Sequence, residues 1–240
     1  MKITAGSMHF KQLNDLVRNT EDREIEIENC IGQRYIASGL SGKEITIYGV
    51  PGNALGAYLD GSKIVVKGNT QEATGDTMND GMIAIYGNAG DATGYAMRGG
   101  KIYIEGSSGY RTGIHMKQYE DKVPVIIIGG SAGSFLGEYQ AGGLLVVLGM
   151  DHPGRLPVSN FCGTGMHGGK IYLRCDTPPH DLPAQVQAHL ANDADMEEIS
   201  LYLREFCDIF DKNYDEILAH PFYVLTPNTK NPYKQLYTTN

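Results

Sequence analysis

His152, Cys162 and His167 fall within one 16-residue span and are side-chain types that bind zinc. No short paired spacing accompanies them, so they are weak metal candidates and no metal site is expected. His9, His115, His180, His189 and His220 are scattered and read as solvated or capping residues. Two glycine-rich loops, residues 87–94 (GNAGDATG) and 129–137 (GGSAGSFLG), have the composition of phosphate cradles. A P-loop requires GK[ST], and a dinucleotide fingerprint requires a helix opening at the glycines. Neither accompanies these loops. Paired carboxylates would suit glycoside hydrolysis. The residues that share one phase of the sequence, Asp60, Asn79, Arg98 and Ala141, bring no two acids together; nor do Ala57, Asp76, Tyr95, Ile114 and Glu138. That weakens a carbohydrate-active reading, although loops can also bring acids together. No GxSxG elbow is present. Residue 2 is Lys, so removal of Met1 leaves no amino-terminal cysteine nucleophile. Cys30, Cys162, Cys175 and Cys207 form no CxxC pair and cannot supply a clustered iron–sulfur motif. No catalytic or cofactor-binding residue is therefore expected in this chain.

The elements that carry these residues are set by glycine. Gly49, Gly68, Gly87, Gly106, Gly130, Gly149 and, in degenerate form, Cys175 close successive units at gaps of 19, 19, 19, 24, 19 and 26. The longer gaps are one period plus insertions of 5 and 7, near residues 117–121 and within 150–161. Two and four residues before each close the chain is apolar, from Ile45 and Ile47 to Ile171 and Leu173. A second glycine recurs at Gly56, Gly75, Gly94, Gly113, Gly137 and Gly163, followed by an apolar column of Leu40, Leu59, Met78, Met97, Met116 and Met166, with Gln140 the exception. A period near 20 signals a solenoid, and alternation signals strands. No unit has room for a 10-residue helix. The pattern predicts an all-β, single-stranded parallel β-helix of about seven coils, right-handed by the usual crossover rule. The second-glycine set is expected to be structural, holding corners that other residues reach only at a cost.

These residues resemble a known family. Residues 17–23 (VRNTEDR), 37–42 (ASGLSG), 131–137 (SAGSFLG) and 142–149 (GGLLVVLG) are similar to the glycine-rich (GXGXG) domain at the C-terminal end of the glutamate synthase large subunit, and to proteins that carry that domain alone. A more distant resemblance is to the β-helix subunit of formylmethanofuran dehydrogenase, which shares the repeat. The first resemblance covers roughly residues 11–174. It implies a non-catalytic structural subunit in glutamate and nitrogen metabolism, without activity of its own. Such a subunit would brace an amidotransferase subunit against a synthase subunit, with FMN and the iron–sulfur cluster on those partners and no cofactor here. The alternatives are a β-helix enzyme acting on carbohydrate through its loops, or a self-assembling scaffold that forms a homo-oligomer.

The remaining bounds agree with one domain plus appendages. The net charge is −8 over 240 residues, most of it beyond residue 176, and no basic face favours nucleic acid. No apolar run is long enough to span a membrane. The start lacks a signal-peptide core, and widely spaced cysteines read as reduced, so the expected location is cytoplasmic. The expected organisation is residues 1–30, a short helix with Phe10, Leu13 and Val17 on one face and a capping strand; 31–176, the repeats; and 177–240, a helical extension. Within the last part a short helix is expected at 182–190, then a longer one from Asp195, with Glu198 in its capping box, through Ile217, then an extended tail from Phe222 onward. The long helix is expected either to dock on a partner or second copy, or to pack along its own chain.

Overall fold

The computed structural model describes residues 1–228; of the extended tail expected from Phe222 onward, residues 222–227 form a strand of the sheet and residues 229–240 lie outside the described residues. Eleven strands form one sheet: β1 (Lys2–Thr4), β2 (Glu24–Ile31), β3 (Glu44–Val50), β4 (Asp60–Lys67), β5 (Asp80–Ile85), β6 (Lys101–Ile104), β7 (Val125–Ile128), β8 (Ala141–Val147), β9 (Gly168–Arg174), β10 (Val186–Leu190) and β11 (Phe222–Pro227). The spatial order is β1 through β9 in sequence, then β11 and β10. The first nine strands are parallel, and β11 is antiparallel to both of its neighbours.

The register is the sequence period made physical. Ile45, Ile64, Ile83, Ile102, Ile126, Leu145 and Ile171 stand opposite one another across seven strands, as do Ile47, Val66, Ile85, Ile104, Ile128, Val147 and Leu173. All are buried and meet the Met/Leu column from the other side. Both insertions fall between strands, so neither breaks the ladder. Gln140 sits in the Met column fully buried, with its amide donating to the carbonyls of Gly142 and Gly143.

The fold nevertheless differs from the expected all-β, right-handed parallel β-helix of seven coils. The strands form one open eleven-stranded sheet, it ends in antiparallel strands, and helices of 10, 18 and 5 residues accompany it. Each repeat supplies one strand only. Its return path behind the sheet consists of turns joined by single-residue bridges at Thr70, Ala89, Ser108, Ala132 and Val158. The physical reason is backbone sign: positive φ recurs at every second residue, as in Ala92 (52°), Gly94 (70°) and Ala96 (49°), whereas a parallel strand requires φ near −120°.

Helix α1 (Phe10–Asn19) closes the first repeat, with Leu13 and Val17 buried. His9 is its N-cap. Side chains of α1 also cap the turn layer: Asn14 donates to the Arg34 carbonyl at 2.9 Å and Arg18 to that of Ser38 at 2.6 Å. At the other end, residues expected as a helix over 182–190 instead form the edge strand β10. The apparent spacing of Leu182, Val186 and Leu190 is overridden by the antiparallel ladder with β11, which leaves Leu190 exposed. The long helix α2 (Asp193–Phe210) starts at Asn192, whose capping box uses Asp195. It ends at Asp211 in the left-handed region, so the expected run to Ile217 breaks into α2 and a short α3 (Tyr214–Leu218).

Candidate functional site: the surfaces of the repeat

The outer face of the sheet changes character along the repeats. Its in-phase residues are polar early (Glu44, Thr46, Lys63), and apolar later (Val125, Ile127, Leu144, Val146). Helix α2 lies on the apolar part. Ile199, Leu203, Phe206 and Phe210 share one helical face and are buried with Ala84, Tyr103, Ile127, Val146 and Tyr172. The helix therefore packs on its own chain. Two equivalent clamps flank the apolar patch. In β6, Lys101 meets Glu205 at 2.7 Å and the Tyr103 hydroxyl donates to the same carboxylate. In β9, Lys170 and Tyr172 meet Glu198 at 2.7 and 2.5 Å, and Lys170 also reaches Asp195. Burial pushes the Glu205 carboxyl up, but Lys101 and Tyr103 outweigh it and hold it below the usual carboxylate range. The buried Arg174 ties the end of α3 to the sheet, donating to the carbonyls of Leu148, Glu216 and Ile217. The switch from polar to apolar outward positions was readable in the sequence and marks where the helix docks.

The candidates for chemistry are spread apart. His152 is exposed in the second insertion, Cys162 is buried, and His167 lies beside the Gly165 carbonyl at 3.2 Å. Burial pushes the Cys162 thiol up to about 12, which suits neither a ligand nor a nucleophile. Among the described residues, no group of three or more His, Cys, Asp or Glu side chains is placed to hold a metal. The structure does bring together two acids that periodic counting kept apart. A register shift between β4 and β5 sets Asp60 opposite Asp80, and Lys122 of the first insertion bridges them at 3.8 and 3.0 Å. Lys122 holds the Asp80 carboxyl below its ordinary value. A glycosidase acid needs the opposite shift.

The corner glycines combine positive φ with close contacts at the Cβ position. Gly94 has φ of 70°, and a Cβ there would run into the Ile126 side chain of the next repeat. Gly56, Gly75, Gly113, Gly137 and Gly163 share the positive φ, and each of the first four faces the equivalent Ile or Leu one repeat on. The glycine-loop corners are further locked by a polar column. Asn69 accepts from the Asn88 amide, Asn88 from that of Ser107, and the Ser107 hydroxyl from that of Ser131.

The turn layer carries the distinctive exposed surface. Tyr110, Phe135 and Phe161 line up along successive repeats, the first pair edge-to-face and the second tilted, at 5.3 and 4.8 Å between ring centroids. Tyr95, His115 and Tyr139 form a second row, edge-to-face at 5.9 Å and then stacked at 5.2 Å. Arg111 lies over Tyr110 and Phe135 and forms an ion pair at 2.7 Å with Glu138, whose side chain is buried. Exposed aromatic rings clustered with arginine are the composition of interface hot spots. Reading the sequence by its glycines passed over this surface, although Tyr110, Phe135 and Phe161 each lie at or beside one phase of the period.

Residues 8–228 match the family model described as GXGXG motif. An uncharacterized protein of Methanocaldococcus jannaschii, MJ1350, is 42% identical over 249 residues, covering 98% of this chain and 95% of that protein. Among solved structures, a chain of the formyltransferase/hydrolase complex (FhcABCD) from Methylorubrum extorquens, in complex with methylofuran, has a TM-score of 0.65 at 21% identity. The likeness covers 85% of this chain and 73% of that one, and is a likeness of fold. Among the described residues, no helix is long and apolar enough to cross a membrane.

Proposed function

Because the chain belongs to the GXGXG family, we propose that it is a non-catalytic structural subunit of a multi-subunit, glutamate synthase-like oxidoreductase. In this reading it braces an amidotransferase subunit against a synthase subunit in the cytoplasm, and FMN and the iron–sulfur cluster belong to those partners. The observation that carries the reading is the pair of aromatic rows on the turn layer, one of them with Arg111 over Tyr110 and Phe135, a surface suited to a protein partner. The membership of the M. extorquens neighbour in a multi-subunit complex supports partner subunits in general. Resemblance to the glutamate synthase domain supports nitrogen metabolism in particular.

The test is gentle purification of the full chain from its native cell, with identification of the co-eluting polypeptides. Glutamine-dependent glutamate formation is then measured with and without this chain. A glutaminase-like and a flavin–iron–sulfur subunit are expected at fixed stoichiometry. Elution of the chain by itself, or as a homo-oligomer, would overturn the reading.

A further inference from the structure

The two ends of the turn layer are unlike. The backbone N–H at three fixed positions donates from one repeat to the next, except where Pro51 takes the first of them. Thr70, Ala89, Ser108 and Ala132 form one such series; Ala54, Ala73, Ala92, Arg111 and Phe135 form the second; Tyr58, Thr77, Ala96, His115 and Tyr139 form the third. The next members are Val158, Phe161 and Gly165, and among the described residues their N–H groups have no acceptor. The carbonyls of Val158, Cys162 and Met166, which would accept from a following repeat, likewise lack donors among the described residues. At the first repeat the carbonyls of Arg34 and Ser38, which would accept from a preceding repeat, are satisfied by Asn14 and Arg18 of α1. Beside the open end lies a cleft of about 320 Å3, lined by Leu156, Val158, Phe161, Cys162, Asp181 and Leu182. The Phe161 ring, last in its row, is 56% exposed there.

An unpaired ladder edge is a template for another backbone. We propose that residues 158–166 receive a backbone segment of a different polypeptide, which adds one more layer to the turn stack and places an apolar side chain in the adjoining cleft. The backbone supplies the affinity, and the cleft and Phe161 supply the preference for an apolar anchor. Asp181, 97% exposed at the cleft and 3.3 Å from the His180 ring there, can accept from a basic residue beside that anchor. A second copy of this chain suits the edge poorly. Its α1 end is already capped, and pairing the two open ends would set Asp181 against its twin in chains of net charge −8. The inference rests on the bracing-subunit reading for the existence of a partner, but not on which enzyme that partner is.

The test is amide hydrogen exchange on the full chain, alone and in its purified native complex, together with photo-crosslinking from position 161. In the complex, the Val158, Phe161 and Gly165 amides are expected to slow by roughly 100-fold, with crosslinks to one segment of another polypeptide. Val158→Pro removes one donor at a position where the second repeat already carries Pro51. It is expected to leave thermal unfolding unchanged and to weaken association roughly tenfold. An intact complex in which these amides exchange as fast as in the isolated chain overturns the inference and leaves the bracing reading standing. Absence of any associated subunit overturns both. Protection in the isolated chain that disappears on dilution assigns the edge to a second copy and also overturns the inference.

Discussion

Gly94 condenses the logic of the repeat. Its φ of 70° suits glycine, and the space where a Cβ would stand is taken by Ile126 of the next repeat. Gly94→Val combines backbone strain with overpacking and is expected to cost about 3 kcal/mol or more. Thermal unfolding checks this, and an unchanged midpoint would count against the corner assignment. The cysteines give a second expectation at this scale. All four are buried and free, and burial raises the thiols of Cys30 and Cys175 to about 11 and of Cys162 to about 12. A thiol reagent at pH 8 should label them only as fast as the chain opens, and all four promptly in denaturant. Prompt labelling of Cys162 in the native chain would contradict its placement at the end of the stack.

At the scale of elements, α2 is held by an apolar stripe between two Lys–Tyr–Glu clamps. Phe206 is fully buried at the centre of the stripe, so Phe206→Ala is expected to cost about 3–5 kcal/mol, read from denaturant unfolding. The clamps add a pH dependence. The Glu205 carboxyl is lowered in the folded chain, so its contribution is complete above the unfolded value near 4.3 and is lost as pH falls through the depressed folded value. Stability should therefore decline between about pH 5 and 3, and Glu205→Gln should flatten part of that decline. A variant with the same acid profile as the parent would remove Glu205 from the account. Arg174 fixes α3 through three carbonyls, so Arg174→Ala should free residues 214–218 to exchange amide protons while β3–β8 stay protected.

At the scale of the whole molecule, the sheet divides two surfaces with different tasks. One is covered by the chain's own helices. The other, the turn layer, exposes rows of aromatic rings and ends in an unpaired backbone edge. Removing residues 193–228 would uncover Val125, Ile127, Leu144 and Val146 together. An exposed apolar patch of this kind drives association. The truncated chain is expected to form large aggregates by size-exclusion chromatography, whereas a monodisperse product would show that α2 is dispensable to the fold. Arg111→Ala, by contrast, lies on the other surface; it should weaken partner binding roughly tenfold or more and, by leaving the buried Glu138 carboxylate unpaired, also lower stability.

The period of 19 determined the strand positions, the Ile/Val ladders and the corner glycines, because side-chain alternation and positive φ are local properties that residue types report directly. The capping role of Leu13 and Val17 was legible for the same reason. Closure was not legible. Strand content on the return path depends on how alternating positive-φ residues fold back, and only the structure shows turns there and a single open sheet. The segment 182–190 reads as a helix by spacing, but its neighbour β11 lies 32 residues or more away in sequence and offers a ladder that local propensity does not encode. The meeting of Asp60 with Asp80 and of Tyr103 with Glu205 depends likewise on a register shift and on a helix returning across the sheet. Such contacts between distant segments are set by packing, which one residue's type cannot announce.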